Sequence, residues 1–320
     1  MTRSFCLTLL LTLLCAPAWS LNIVLTNDDG FETANIQTLY RLLSAAGHDV
    51  ILSAPYSGQS GSGGKIAFLQ PIGPTAAKSP EGSLPAGSPG VGATGLGPQQ
   101  FYVDGSPAAA LLYGIDVQAQ RIWGRFPDLV IAGPNEGNNL GIVTPHSGTL
   151  GATVTALNKG IPAIAVSADN GDAEQAKVVA ELMLKLLGTL SHKEGVDLPA
   201  GVGLNVNMPP IDTTRSKAAD FQYLYTQIGT SSNIGLRFVE DLGADAFARR
   251  VGVPADLNLP GVVVAVPPSA AGYPEDSASN SESGALKPHT VTVSPIQGTY
   301  AADRQVADRL RQNLRGLIAD

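Results

Sequence analysis

Apolar residues along this chain alternate between two patterns: short unbroken runs, and longer stretches that recur with a period near 3.6. Ile23-Val24-Leu25 is the first run, ending in Thr26-Asn27, two adjacent aspartates and Gly30. Ile36, Leu39, Tyr40, Leu42 and Leu43 then recur at helical spacing up to a glycine stop at Gly47, and Asp49–Ala54 predicts a second strand closed by Pro55. A strand, a helix and a strand of this length open a right-handed parallel unit. Phe101-Tyr102-Val103 predicts another short strand. Ser106-Pro107 makes a helix start, since serine caps and proline suits the first helical position, and Ala110, Leu111, Leu112, Ile115 and Val117 continue it. Asp128–Ala132 is nearly all apolar, as strands buried on both faces of a parallel sheet are. A helix through Leu157, a buried strand at Ala163–Val166 and a long amphipathic helix through Ala176, Val179, Leu182, Met183, Leu186, Leu187 and Leu190 come next. Further strands are predicted at Val202–Val206, Gly261–Val266 and His289–Val293, with a closing helix marked by Val306, Leu310 and Leu314. The pattern is that of an α/β fold on a parallel sheet.

Three stretches fall outside it. Tyr56–Lys65 is a glycine and serine loop after the second strand, matching neither a Walker A nor a dinucleotide fingerprint. Pro74–Pro98, rich in Gly, Pro, Ser and Ala, predicts a surface insertion with few fixed contacts, and Ser269–Leu286 is a second segment of this kind. At 320 residues and 44% hydrophobic content the chain supports one large domain, spanning 21–320. Residues 1–20 are separate: Arg3, the apolar run Phe5–Cys15 and Ala18-Trp19-Ser20 form a secretory signal peptide, too short to span a membrane comfortably. Its removal would take both cysteines, Cys6 and Cys15, leaving a periplasmic or secreted protein without disulfides. No later segment is apolar enough to span a bilayer, and a net charge of -7 argues against a nucleic-acid polymer as partner.

The candidate chemistry sits where strands should end, which in an open parallel sheet is where ligands bind. Asp28 and Asp29 come after the first strand, Ser60 lies in the loop after the second, and Asn135, Asn138 and Asn139 come after the Asp128–Ala132 strand. Adjacent like charges repel unless a cation or donors neutralise them. All these groups offer oxygen, which favours a hard divalent cation, Mg²⁺ or Mn²⁺, over zinc. Ser147, Gly148 and Thr149 directly precede a helix, whose free N–H groups suit phosphate, and Asn139 is a further candidate for holding phosphate oxygens. A metal beside a phosphate site is a hydrolase design. His146 is open between donating to a leaving oxygen and a structural role.

Asn27-Asp28-Asp29-Gly30, the serine-glycine loop after Ala54-Pro55, Ala132–Gly141 and His146-Ser147-Gly148-Thr149 together resemble the SurE survival-protein family. The resemblance covers about Asn22–Ser167, apart from the insertion at 74–98, with a divergent C-terminal part from about residue 207. It implies a Rossmann-like three-layer α/β fold whose C-terminal extension helps build dimers or tetramers. It further implies a metal-dependent 5'/3'-nucleotidase or acid phosphatase acting on nucleotides or other small phosphate monoesters. Its metal ligands would be Asp28, Asp29, Ser60 and Asn135, with Ser57 and Ser62 in the same loop as Ser60. The motif around Phe31–Ile36 is closer to the exported acid-phosphatase-like branch. In the mechanism this implies, Asp28 and Asp29 are the catalytic residues: they would fix the ion, and one of them, Asp29 by preference, would accept the proton from water. The rival is a non-catalytic exported protein that binds an anion or nucleotide in the same crevice.

Overall fold

The computed structural model describes residues 19–315 and 317, apart from 233 and 277. The proposed signal peptide therefore lies almost wholly outside the described residues. In chain order the strands are β1 (Asn22–Thr26), β2 (Asp49–Pro55), β3 (Val91–Ala93), β4 (Gln100–Val103), β5 (Leu129–Glu136), β6 (Ala163–Ala168), β7 (Ser191–His192), β8 (Gly195–Val196), β9 (Val202–Asn207), β10 (Gln222–Tyr225), β11 (Gly235–Val239), β12 (Gly261–Ala265) and β13 (Thr290–Gln297). The helices are α1 (Ala34–Ala45), α2 (Pro107–Tyr113), α3 (Gln120–Ile122), α4 (Gly148–Asn158), α5 (Ala173–Leu190), α6 (Ala246–Arg250), α7 (Glu282–Ala285) and α8 (Arg304–Asn313). A wide turn at Gly114–Ala119 joins α2 to α3.

Nine strands form one sheet in the order β10-β13-β9-β6-β5-β1-β2-β4-β3. From β9 to β4 all pairings are parallel. The chain steps from β1 outward to β2 and β4, then crosses back to β5 and proceeds through β6 to β9, so strand order reverses between β1 and β5. The alternation within each strand divides the core in two. Ile23, Leu25, Leu129, Ile131, Ile164 and Val166 face the layer of α1 and α5, with Ile36, Leu39, Leu43, Val179, Met183 and Leu187. Val24, Val130, Ala132, Ala163 and Ala165 face the opposite layer of α2 and α4, with Leu111, Ile115, Leu150 and Ala156. Each large side chain fully buried this way contributes about 2 kcal/mol. This is the three-layer α/β sandwich that the family resemblance implies, on the parallel sheet that the sequence period predicts.

Three features depart from that expectation. The sheet is mixed, because β3 runs antiparallel to β4 and β13 antiparallel to β9, while β10 is parallel to β13. The 261–266 run does form a strand, but it pairs with β11 in a separate two-stranded hairpin. The insertion at 74–98, expected to be loosely held, is instead tied down by side chains of the main fold. The Glu32 carboxylate accepts bonds from Ser79 Oγ at 2.8 Å, Glu81 N at 2.8 Å, Ser83 N at 3.0 Å and the Ser83 hydroxyl. Tyr56 donates to Ala77 O at 2.9 Å and Tyr102 to Pro89 O at 2.6 Å. A segment without enough apolar residues for its own core is held here through its backbone polar groups.

Candidate active site at the strand reversal

The turn after β1 is built by Asn27. Its side-chain amide donates to Gly30 O at 2.9 Å and its Oδ1 accepts from Gly30 N at 3.2 Å, closing an Asx-type turn around the two aspartates. Phe31 N bonds Pro55 O at 3.0 Å, and Gln59 N bonds Asp28 O at 2.7 Å, so the acidic turn and the serine loop after β2 are laced together. Asp28 is 3% exposed. Burial raises its pKa, against the lowering effect of the Thr149 hydroxyl and nearby backbone N–H groups. Asp29 is half-buried, and burial together with the charge of Asp28 pushes its pKa up to about 8, although Glu136 N donates to its Oδ2 at 3.0 Å. Among the described residues, no lysine or arginine is paired with either carboxyl.

Asn135 reaches the same crevice from β5. The pairing of β5 with β6 matches Ala132 to Ala165 but Asn135 to Ser167, so one extra residue is accommodated at Gly133-Pro134. A bulge of this kind bends the strand and re-aims the side chains beyond it. Asn135 Nδ2 donates to Gly137 O at 2.7 Å, while its Oδ1 is buried with no hydrogen-bond partner.

Opposite lies the start of α4. Ser147 caps it, its Oγ accepting from Leu150 N at 3.2 Å. Thr149 is fully buried and its hydroxyl donates to Asp28 Oδ1 at 2.5 Å. Gly148 permits this closeness: a Cβ added there would fall 2.8 Å from Asp28 Cβ and 2.9 Å from Ser62 Oγ. That proximity also locates Ser62, whose hydroxyl is buried and lacks a partner, whereas Ser60 is exposed and Ser57 half-buried. Gly63 N bonds His146 O at 3.0 Å, so His146 anchors the loop through its backbone while its side chain is exposed.

Five of the residues singled out in the sequence thus meet at one place, with distinct partners, and the exposed Ser60 is not among them. Asp28, Asp29, Asn135, Gly148 and Thr149 converge on the reversal between β1 and β5. Asn139 is drawn inward, its Nδ2 donating to Ser167 Oγ at 2.9 Å and its backbone held by Asn205 and Asn207. Ser167 and the asparagines of β9 are not legible in the sequence, and Ser62 is there only a neighbour of Ser60, because a single serine or asparagine carries no spacing signal. The donor set suits a hard divalent cation: two carboxylates, an orphaned amide oxygen and a serine hydroxyl, all oxygen. Among the described residues, no three His, Cys, Asp or Glu side chains cluster to hold a metal, so neutral oxygens would have to complete such a shell.

The family model described as Survival protein SurE matches residues 23–233. An acid phosphatase of Yarrowia lipolytica is 38% identical over 225 residues, covering 64% of this chain and 62% of that protein. A 5'-nucleotidase SurE of Desulfitobacterium hafniense is 36% identical over 191 residues, covering 60% of this chain and 65% of that one. The chain therefore spans less than two thirds of the length of these two relatives. A crystal structure of Sure protein from Aquifex aeolicus shares the fold with a TM-score of 0.62 at 23% identity, covering 91% of this chain and 99% of that one.

Proposed function

Because this chain belongs to the SurE family, we propose that it is a phosphoric monoester hydrolase that uses a divalent cation, Mg²⁺ or Mn²⁺, on nucleoside monophosphates or other small phosphate monoesters. The observation that carries this reading is the bond from Thr149 to Asp28, which sets the start of α4 against a buried and a half-buried carboxyl that, among the described residues, no lysine or arginine pairs. Two acids beside an anion site repel the anion unless a cation stands between them. Asp28, Asp29 and Asn135 would hold the ion with one serine of the loop. The family pattern favours Ser60, and the orphaned hydroxyl favours Ser62. When bound, the ion supplies the charge that polarises a phosphoryl oxygen and acidifies water.

The chain's own groups do the rest. The backbone N–H of Thr149, at the positive end of α4, binds the phosphate oxygens and stabilises the charge that develops on them, while that of Gly148 serves the Asp28 carboxyl. Thr149 fixes the rotamer of Asp28. Asp29, less buried and reaching the crevice, accepts the proton of the attacking water. The decisive measurement is hydrolysis of p-nitrophenyl phosphate and of nucleoside monophosphates, with and without EDTA, for wild type and Asp28→Asn. Activity should need the metal and fall at least about a hundredfold in the variant, as for loss of a group that stabilises developing charge. Binding of these esters by a metal-loaded wild type that turns none of them over would establish the non-catalytic alternative.

Export and self-assembly belong to the same proposal. The leader-like residues 1–20 support a periplasmic or secreted location, which fractionation of expressed protein tests. Among the described residues no helix is long and apolar enough to cross a membrane. A homodimer or tetramer is supported by α8, where Val306, Leu310 and Leu314 share one face and stand 44–52% exposed.

A further inference from the structure

The carboxyl of Glu282, at the start of α7, is 0% exposed and no lysine or arginine pairs with it among the described residues. It lies beyond the matched family region, in the Ser269–Leu286 segment, the second of the two loosely patterned stretches of the sequence. Its Oε1 accepts from Gly141 N at 2.9 Å; its Oε2 accepts from Asn205 Nδ2 and from Ser294 Oγ, each at 3.0 Å. Asn205 Nδ2 also donates to Asn139 O at 3.0 Å. Asn207 grips the same residue twice, its Nδ2 donating to Asn139 O at 3.1 Å and its Oδ1 accepting from Asn139 N at 2.8 Å. Gly141 has a left-handed φ of +47°, and a Cβ there would fall 1.6 Å from Ser231 O. The 137–141 segment is thus clamped from β9, α7 and the chain near Ser231. One end of it leads to Asn135 and the other to the Ser147–Thr149 turn.

We propose that Glu282 is a positioning residue for the metal and phosphate site: through Gly141, and through Asn205 to Asn139, it fixes the segment that spaces Asn135 from the start of α4. A carboxyl is buried here without a counterion because its oxygens accept from groups of one loop and two strands. A well-packed apolar residue would fill the volume, but it would leave Gly141 N and Asn205 Nδ2 short of an acceptor. The inference rests on the reading of Asp28, Asp29 and Asn135 as a cation site, and adds a residue that touches none of them.

The test uses the full chain and two variants, Glu282→Gln and Asn205→Ala, with Mn²⁺ as the probe. Calorimetric titration reads Mn²⁺ binding directly, and p-nitrophenyl phosphate turnover at saturating metal separates kcat from KM. Both variants should weaken Mn²⁺ binding about tenfold or more and lower kcat with a smaller effect on KM. Phe221→Leu, which thins the core beside His289 in the same C-terminal part, should lower the melting temperature and leave Mn²⁺ affinity unchanged. Folded variants with wild-type Mn²⁺ affinity and kcat would overturn the proposal. If neither variant folds, hydrogen exchange of wild type decides: residues 137–141 should be protected like β9 and β13, and exchange as fast as an exposed loop overturns it. A wild type that binds Mn²⁺ but hydrolyses nothing defeats the hydrolase reading while leaving the role of Glu282 measurable.

Discussion

Two buried acids show how different surroundings turn the same functional group to different ends. Asp28 is held by a hydroxyl at 2.5 Å, and Thr149→Val keeps the shape while removing that donor. Leaving a buried carboxylate short of a donor costs about 1–3 kcal/mol. The variant should lose stability in urea titration and lose about tenfold or more in kcat/KM, since each 1.4 kcal/mol in the transition state is a factor of about ten. Glu282 differs, because burial pushes its pKa up to about 7 against the bonds from Gly141, Ser294 and Asn205, with the charge of Asp276 adding to the rise. A carboxyl with a folded pKa above its ordinary 4.5 favours folding when protonated. That contribution is complete below pH 4.5 and is lost as the pH climbs through about 7. Wild type should therefore lose melting temperature relative to Glu282→Gln across that window, and parallel melting curves would show that Glu282 does not titrate there.

Elements of regular structure are readable from their patterns because burial imposes them. The period of α1 and α5 and the apolar runs of β1, β2, β5 and β6 are direct consequences of which face meets the core, and each appears within a few residues of its expected bounds. The Asp28–Asp29 turn, Asn135 and the Ser147–Thr149 cap are legible for a related reason: they come directly after those strands or before a helix. The features that escape notice have no periodic signature. β10, β11 and β3 are short and half-exposed, and the hold on residues 74–98 runs through Glu32 and the hydroxyls of Tyr56, Tyr102 and Tyr40, the last donating to Pro98 O, which nothing in the sequence pairs with it. Burial acts to raise the pKa of Glu32, but the bonds from Ser83, Glu81 and Ser79 outweigh it and hold the carboxyl below its ordinary 4.5. Its contribution is present above pH 4.5 and is lost as the pH falls through the lower folded value. Glu32→Ala should speed limited proteolysis within 74–98 severalfold at neutral pH, and wild type should approach the variant's rate in acid.

For the molecule as a whole, the question is what covers the apolar face of α8. The helix buries none of its residues, although Asp303 caps it by accepting from Val306 N at 3.0 Å. An isolated helix this short is marginal in water. If a second copy covers it, a chain ending at Asp303 should show a lower mass by light scattering while keeping the melting temperature of the sheet to within about 2 °C, the shift expected for about 1 kcal/mol in a chain of this size.

The order of the sheet has a consequence for how the protein is made. The last strand, β13, lies inside the sheet, between β9 and β10, and β10 has no other neighbour in it. A chain still leaving the ribosome can assemble β1 through β9 in sequence, yet it cannot seal that edge or bring Glu282 to Gly141 until residues 282–297 emerge. Synthesis from the N-terminus therefore yields an incomplete sheet and a slack 137–141 loop until those residues are in place. For a polypeptide exported as proposed, threading through a translocation pore gains from that delay, because the contacts of β13 and Glu282 with the earlier strands can form only after those strands are made.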